Sequence, residues 1–328
     1  MNAMKAVVLH GITKSEDIHI TDTEIPSVRP GWVLVKIKAF GINHSEQILR
    51  MGEIENDYIQ KPVIPGIECV GLIEDPSDSG WNKGQKVCAL MGGMGRSFNG
   101  SYAEYALLPE HHVFPIDTDL SWREMAAVPE TYYTAWGSLF TGLQLKKEDT
   151  ILIRGASCSL GYAAIQIAHV LGCKVVGTTH REQKMSHLKE KSCDIVILDT
   201  GTISDQVKDL HITKVLELVG CATLEDSMNC VEESGIVCMS GVLGGIFSFQ
   251  NFNPISIIPN GVFLTGFHSN WPTAKDMSSI FSFLKKNALH PDIGAVYPFA
   301  RIQQACADID NHKVNGKIVI INEEDVTI

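Results

Sequence analysis

Residues 154–161 read RGASCSLG, and the fold of half the chain turns on them. Before them runs an apolar stretch, Thr150-Ile151-Leu152-Ile153; after them, over residues 162–171, apolar side chains recur at helical spacing. Strand, tight turn and helix start, in that order, form the first unit of a dinucleotide-binding sheet. Gly161 fits the last glycine of that fingerprint, where a side chain would hold helix and strand apart. Leu160, Ala164, Ile167, Ala168 and Leu171 give the helix an apolar face for the sheet. The middle position, normally a glycine that lets backbone approach a pyrophosphate, is Cys158. A pyrophosphate there would meet unpaired N–H groups and the positive end of the helix dipole. Ser157, Cys158, Ser159 and Leu160 are therefore candidate contacts, the two serines through their hydroxyls. From the turn alone, a strand–turn–helix connection with no ligand reads the same way.

Downstream the rhythm repeats. Short apolar runs at 174–178, 194–198, 214–219 and 235–240 alternate with helical segments, the pattern of a parallel sheet covered on both faces. An NAD-binding sheet places an acid roughly 20 residues after the fingerprint to hold the ribose 2′-OH. Here the second strand ends Thr178-Thr179-His180-Arg181, with Lys184 just beyond and no acid at the strand end. Thr179, Arg181 and Lys184 suit a 2′-phosphate instead, which points to NADPH. Glu182 weighs against that reading, and Lys184 reads equally as a solvated helix residue. Gly241 and Leu243 follow a later strand end on the side where such sheets hold a cofactor, and Phe267 follows the next strand.

Upstream the chain is β-rich. Over residues 32–39, Val33, Val35, Ile37 and Ala39 share one face and Lys36 and Lys38 the other, a half-buried strand. Further short strands, separated by Pro- and Gly-containing turns, predict a barrel-like all-β unit to about residue 120. A tail helix and a last strand, Gly316-Lys317-Ile318-Val319-Ile320, belong to neither unit by pattern alone.

The whole chain bounds the function classes. Its 328 residues are 45% hydrophobic and 20% charged, with net charge −11 and no basic cluster, which excludes nucleic acid and anionic membrane as partners. The longest apolar stretch, near 255–267, is interrupted by Pro259, Asn260 and Gly261 and does not predict a membrane span. The opening MNAMKAVVLHG carries no secretory signal pattern. The nine scattered cysteines form no CxxC pair, so no structural zinc lobe is expected and reduced thiols in the cytoplasm are.

Several further short stretches stand in one order: Met4-Lys5-Ala6-Val7-Val8; Val35-Lys36-Ile37-Lys38-Ala39-Phe40-Gly41-Ile42-Asn43; Pro65-Gly66-Ile67-Glu68-Cys69-Val70-Gly71; Gly100-Ser101-Tyr102-Ala103-Glu104-Tyr105; Ala126-Ala127-Val128-Pro129; Thr134-Ala135-Trp136; the turn; and Gly316-Lys317-Ile318-Val319. Together they resemble the medium-chain dehydrogenase/reductase superfamily in its zinc-free quinone oxidoreductase branch. The resemblance implies an α/β chain. A GroES-like β-rich catalytic domain, 1–120 with 270–328, would accompany a Rossmann doubly wound parallel sheet domain, 121–269, with nicotinamide meeting substrate in a cleft between them. It also implies a homodimer.

In alcohol dehydrogenases of the superfamily three protein ligands hold catalytic zinc. The matching positions here are Asn43, Ile67 and Glu130, a set that does not predict zinc. The resemblance then implies NADPH-dependent reduction of a small-molecule quinone or α,β-unsaturated carbonyl, whose developing oxyanion needs only hydrogen-bond donors. Asn43 matches the family's substrate-site asparagine, and Thr134 the helix position beside nicotinamide, with Tyr133 next to it; these three are the catalytic candidates. Relatives carry tyrosines where Ile48 and Ile54 stand, and Tyr58 replaces them only if its loop folds back. His44 and Glu130 are possible proton donors. Residues 92–96 read as a mobile loop from which Arg96 reaches toward ligand. Two rival readings are a non-catalytic NADPH-binding redox sensor or structural protein on the same fold, and a zinc-dependent alcohol dehydrogenase. Loops 48–59 and 247–254 would set the acceptor, whose identity the sequence leaves open.

Overall fold

The computed structural model describes residues 3–322. Thr150–Arg154 is a central strand of a six-stranded sheet in the order Ile195–Leu198, Lys174–Thr179, Thr150–Arg154, Lys214–Glu217, Ile236–Met239, Phe263–Gly266. All neighbours pair in parallel. The chain leaves the Thr150–Arg154 strand first to one side and then, from Lys214 on, to the other. This reversal creates the crevice beyond the strand ends at which open α/β sheets bind ligands.

The strand sequences follow from position. Ile151, Leu152 and Ile153 are buried, so the central strand reads as a continuous apolar run up to the buried Arg154; Phe263–Gly266, at an edge, is only partly covered. Leu152, Val176, Val215 and Val237 join Ile203, Val207, Leu224 and Met228 in one core. Helix Ser159–Leu171 buries Ala164, Ile167 and Ala168 as its spacing predicts. Leu160 and Leu171 are only half-buried. Tyr162, Ala163 and Ile165 are buried as well, because the helix is covered on a second side, where the Tyr162 ring meets His187 edge-on. The helix ends at Gly172 in the left-handed region, whose N–H bonds the Ala168 and His169 carbonyls. These elements make up the unit Thr134–Ser269.

The other unit comprises the residues up to Tyr133 together with those from Asn270 onward. Its main sheet runs Ile293–Pro298, Lys317–Ile321, Trp32–Ile42, Glu68–Asp75, Lys86–Leu90, Val113–Pro115. Trp32–Ile42 spans 11 residues. Its first half pairs with Tyr105–Pro109 and its second half with Lys317–Ile321. Val33, Val35 and Ile37 enter the core of this unit, as their alternation predicts. The rhythm changes at Ser121, yet the unit continues past the expected limit of 120. Helix Trp122–Ala126 packs on strands Trp32–Ile42, Glu68–Asp75 and Lys317–Ile321 and buries Met125 and Ala126. Among the described residues no helix is long and apolar enough to cross a membrane.

Candidate active site

Where helix Ser159–Leu171 leaves the strand end, a Cβ on Gly161 would fall on the Ala156 backbone, so the close approach requires glycine. Cys158 is the N-cap of this helix: its Sγ accepts from the Gly161 N–H at 3.4 Å. The residue that replaces the middle glycine thus supplies a cap, and burial pushes its thiol up. Ser157 Oγ meets Thr179 Oγ1 at 2.9 Å, and Lys184 Nζ donates to the Ser157 carbonyl at 3.2 Å. Thr179 Oγ1 also accepts from the Arg181 N–H at 3.2 Å. Burial, then the neighbouring Arg181 charge, lowers the Lys184 pKa. Turn and second strand end are therefore tied together, with the Lys184 ammonium against the turn. This donor set fits a phosphate-bearing dinucleotide.

Arg154, the first residue of the quoted stretch, is fully buried. Its Nε and Nη2 donate to Asp199 at 2.9 and 3.1 Å, and its Nη1 donates to Asp226 at 2.7 Å. It also reaches the Thr223 and Gly201 carbonyls and Ser227 Oγ. Burial raises both aspartates, but hydrogen bonds, those from Arg154 among them, bring each below the ordinary carboxylate value. From the end of Thr150–Arg154 the guanidinium clamps segments that follow two other strands of the sheet, Ile195–Leu198 and Lys214–Glu217. Its signal is absent from the local sequence, since its partners lie 45 and 72 residues away.

Other predicted positions of this unit gather in two places. Leu243 lies beside Gly155, its N–H bonded to the Leu218 carbonyl at 3.1 Å, and Gly241 passes over the Leu218 backbone. Thr134 is buried in helix Pro129–Trp136, which runs on into a π-helical stretch, Gly137–Gly142. Ser138 Oγ donates to the Thr134 carbonyl at 2.6 Å and meets Ser240 Oγ at 2.7 Å. The Phe267 ring packs on Gly137. Single π turns occur frequently at functional sites, and neither this one nor the Ser138–Ser240 link was legible beforehand.

In the other unit, Asn43 follows strand Trp32–Ile42 and starts helix His44–Met51. Glu46 accepts from the Asn43 N–H at 2.8 Å and the Ile67 N–H at 3.0 Å. Burial raises the Glu46 pKa, partly offset by those bonds and by Lys317. Asn43 Nδ2 donates to Glu68 Oε1 at 2.9 Å, and Lys317 Nζ donates to Asn43 Oδ1 at 2.5 Å. Lys317 and Glu68 form an ion pair at 2.6 Å with side chains 3% and 0% exposed. Glu68 Oε2 accepts from the Glu130 N–H at 2.8 Å. The sequence singled out Asn43 but gave neither Glu68 nor Lys317 a role.

This arrangement does not fit the zinc of the superfamily's alcohol dehydrogenases. Of the three ligand positions, Ile67 has no donor atom, and the Asn43 amide is engaged by Lys317 and Glu68. Among the described residues no group of three His, Cys, Asp or Glu is placed to hold a metal.

Several expectations change. Tyr133 donates its hydroxyl to the Trp271 carbonyl at 2.9 Å, and burial pushes its pKa up to about 12, so that hydroxyl serves backbone structure. Arg96 is held by Glu53 at 2.7 Å and by Ser45, which pins the 92–96 loop instead of freeing the guanidinium for ligand. Tyr58 does not fold back: it is 62% exposed and donates to Glu53. Ile54 is core. His44 Nδ1 pairs with Gln47 Oε1 at 2.7 Å.

Comparison with known proteins agrees with this architecture. An alcohol dehydrogenase GroES-like domain matches residues 29–118, and a zinc-binding dehydrogenase domain matches 159–285. The quinone oxidoreductase of Sus scrofa is 27% identical over 313 residues, covering 92% of each chain. Among solved structures, AibC superposes with TM-score 0.88 at 24% identity over 98% of this chain and 96% of its own. Mycobacterial Rv1454c, solved with NADPH, gives 0.84 at 21% identity over 97% and 99%. The chain belongs to the medium-chain dehydrogenase/reductase superfamily, in its quinone oxidoreductase-like branch, and is an oxidoreductase of the nicotinamide-dependent kind.

Proposed function

We propose that this chain is a zinc-independent, NADPH-dependent reductase of quinones or α,β-unsaturated carbonyl compounds. The observation that carries the reading is the chemistry at the three metal-ligand positions: an amide already bonded to a lysine and a glutamate, an isoleucine, and a glutamate. Oxidising an alcohol at neutral pH calls for a Lewis acid to stabilise the alkoxide. A conjugated acceptor is already electron-poor, and hydrogen-bond donors suffice for the oxyanion that develops on it. The bound dinucleotide supplies the hydride. Asn43 holds the substrate oxygen through the Nδ2 hydrogen that Glu68 does not take. Thr134 and Phe267, whose ring packs on Gly137, would position the nicotinamide end, while Ser157, Cys158, Ser159 and Leu160 would hold the pyrophosphate and Gly241 and Leu243 would add backbone contacts to the cofactor. Thr179, Arg181 and Lys184 favour the 2′-phosphate, since no acid closes the Lys174–Thr179 strand. Nine free cysteines support a reducing, cytoplasmic location. Exposed Phe247, Ile255 and Phe263 support a homodimer.

The test is NADPH oxidation, followed by absorbance, against a panel of quinones, enones and saturated aldehydes, with NADH in parallel. Turnover with a conjugated acceptor but not with saturated aldehydes is expected. Binding of NADPH without turnover of any acceptor would favour a non-catalytic sensor. A requirement for stoichiometric zinc would overturn the zinc-independent reading.

A further inference from the structure

Asn43, Glu68 and Lys317 belong to three adjacent strands of one sheet. Lys317 opens Lys317–Ile321, Asn43 directly follows Trp32–Ile42, and Glu68 opens Glu68–Asp75, with Trp32–Ile42 between the other two. Lysine and glutamate meet across the middle strand above Gly41, where an added Cβ would fall on Lys317 Cε and Glu68 Oε1. The absence of a side chain at Gly41 lets the pair form and brings both of its members to the Asn43 amide.

The chemistry of the three groups leaves one orientation. An ammonium only donates and a carboxylate only accepts. Oδ1 of Asn43 therefore faces Lys317 and Nδ2 faces Glu68; the flipped amide would set donor against donor and acceptor against acceptor. One Nδ2 hydrogen is engaged at 2.9 Å by Glu68, which leaves the second. An ammonium at Oδ1 draws charge toward the oxygen and makes the remaining N–H a stronger donor, an effect that low local dielectric enlarges. The ion pair is 3% and 0% exposed, so solvent does not screen it. Buried ion pairs contribute little net stability once desolvation is counted. They do fix the geometry of a group bonded to both members, and here that group is Asn43.

We propose that Lys317 is a positioning residue for the reduction: with Glu68 it fixes and polarises the Asn43 amide, so that the remaining Nδ2 hydrogen is a preset donor to the substrate oxygen. This rests on the reading of Asn43 as the substrate-oxygen donor, and it assigns that residue's donor strength to a side chain 274 positions away.

The test compares wild type with Lys317→Met, Lys317→Arg, Asn43→Ala and the Lys317→Met/Asn43→Ala double variant, each as the full chain. Lys317→Met/Glu68→Gln is added so that an unpaired buried carboxylate does not decide the result. Two readouts are taken. In protein labelled with ¹⁵N only at asparagine, the side-chain NH₂ pair missing from Asn43→Ala is expected to exchange slowly with solvent. It should move in Lys317→Met and in Lys317→Met/Glu68→Gln, and stay in place in Lys317→Arg. In steady state, Lys317→Met should lose on the order of 10- to 100-fold in kcat/KM for the acceptor. Its NADPH affinity should be unchanged, Lys317→Arg should recover most of the activity, and the double variant should be no slower than Asn43→Ala alone. An Asn43 resonance indifferent to Lys317, or losses that add in the double variant, would overturn the proposal. If wild type turns over no conjugated acceptor, the functional reading falls, and the resonance of Asn43 still decides the positioning.

Discussion

Arg154→Met tests the clamp on the parallel sheet most directly. Methionine keeps much of the length and the apolar stem but removes every donor. Asp199 and Asp226, with side chains only 8% and 13% exposed, then keep their charges without a counter-ion. Breaking a buried charge cluster by deleting one partner typically costs about 3–5 kcal/mol, which for a unit of this size lowers the melting temperature by roughly 10–20 °C. Calorimetry at neutral pH, without and with NADPH, measures it. The acid side supplies a second signature. Both aspartates are held below the ordinary carboxylate value in the folded state. Their contribution to stability is therefore complete above the unfolded pKa, near 3.9, and is lost as pH falls through the lower folded values. The gap between wild type and variant should be full at pH ~7 and close below pH ~4. A variant melting within about 3 °C of wild type at neutral pH would refute the claim that Arg154 holds these segments together.

Two further outcomes are expected at the cofactor turn. Gly161→Ala drives a methyl onto the Ala156 backbone and should weaken NADPH binding by about 10-fold or more, in line with ~1–3 kcal/mol of overpacking; fluorescence titration reads it, and unchanged affinity would show that the helix has room to shift. Arg181→Ala should weaken NADPH by about 10- to 100-fold, the worth of one charge-assisted bond, and leave NADH unaffected; equal losses for the two would remove Arg181 from 2′-phosphate recognition.

The parts of this fold that were legible are those written in local pattern. Buried parallel strands such as Thr150–Arg154 announce themselves because both faces are covered. Gly161 was legible because its constraint involves the turn it belongs to. The strand–turn–helix connection at 154–161 could be read for the same reason, although Cys158 as a helix cap could not: nothing in the sequence distinguishes a thiol that caps from one that merely replaces glycine. What escaped depends on residues distant in sequence. Lys317 at a strand start reads as a solvated lysine until folding places it beside Glu68 and Asn43. Arg154 reads as a strand-end charge until Asp199 and Asp226 arrive. Arg96 read as reaching toward ligand because its partner, Glu53, lies 43 residues back. The limit of the first unit was misplaced because a change from strand to helix marks a change of element, and helix Trp122–Ala126 still packs on that unit's strands.

The strand order of the first unit also bears on how the chain is made. Trp32–Ile42 pairs along its second half with Lys317–Ile321, which leaves the ribosome only after the whole Thr134–Ser269 unit. Until then residues 39–42 present an open sheet edge, and Glu68 lacks the counter-ion that burial demands. The N-terminal sheet therefore cannot reach its final state during early synthesis, whereas the Thr134–Ser269 unit draws on one uninterrupted segment. In a growing chain the nucleotide-binding sheet is free to mature first, and the Asn43 cluster becomes complete only when the returning strand closes the edge.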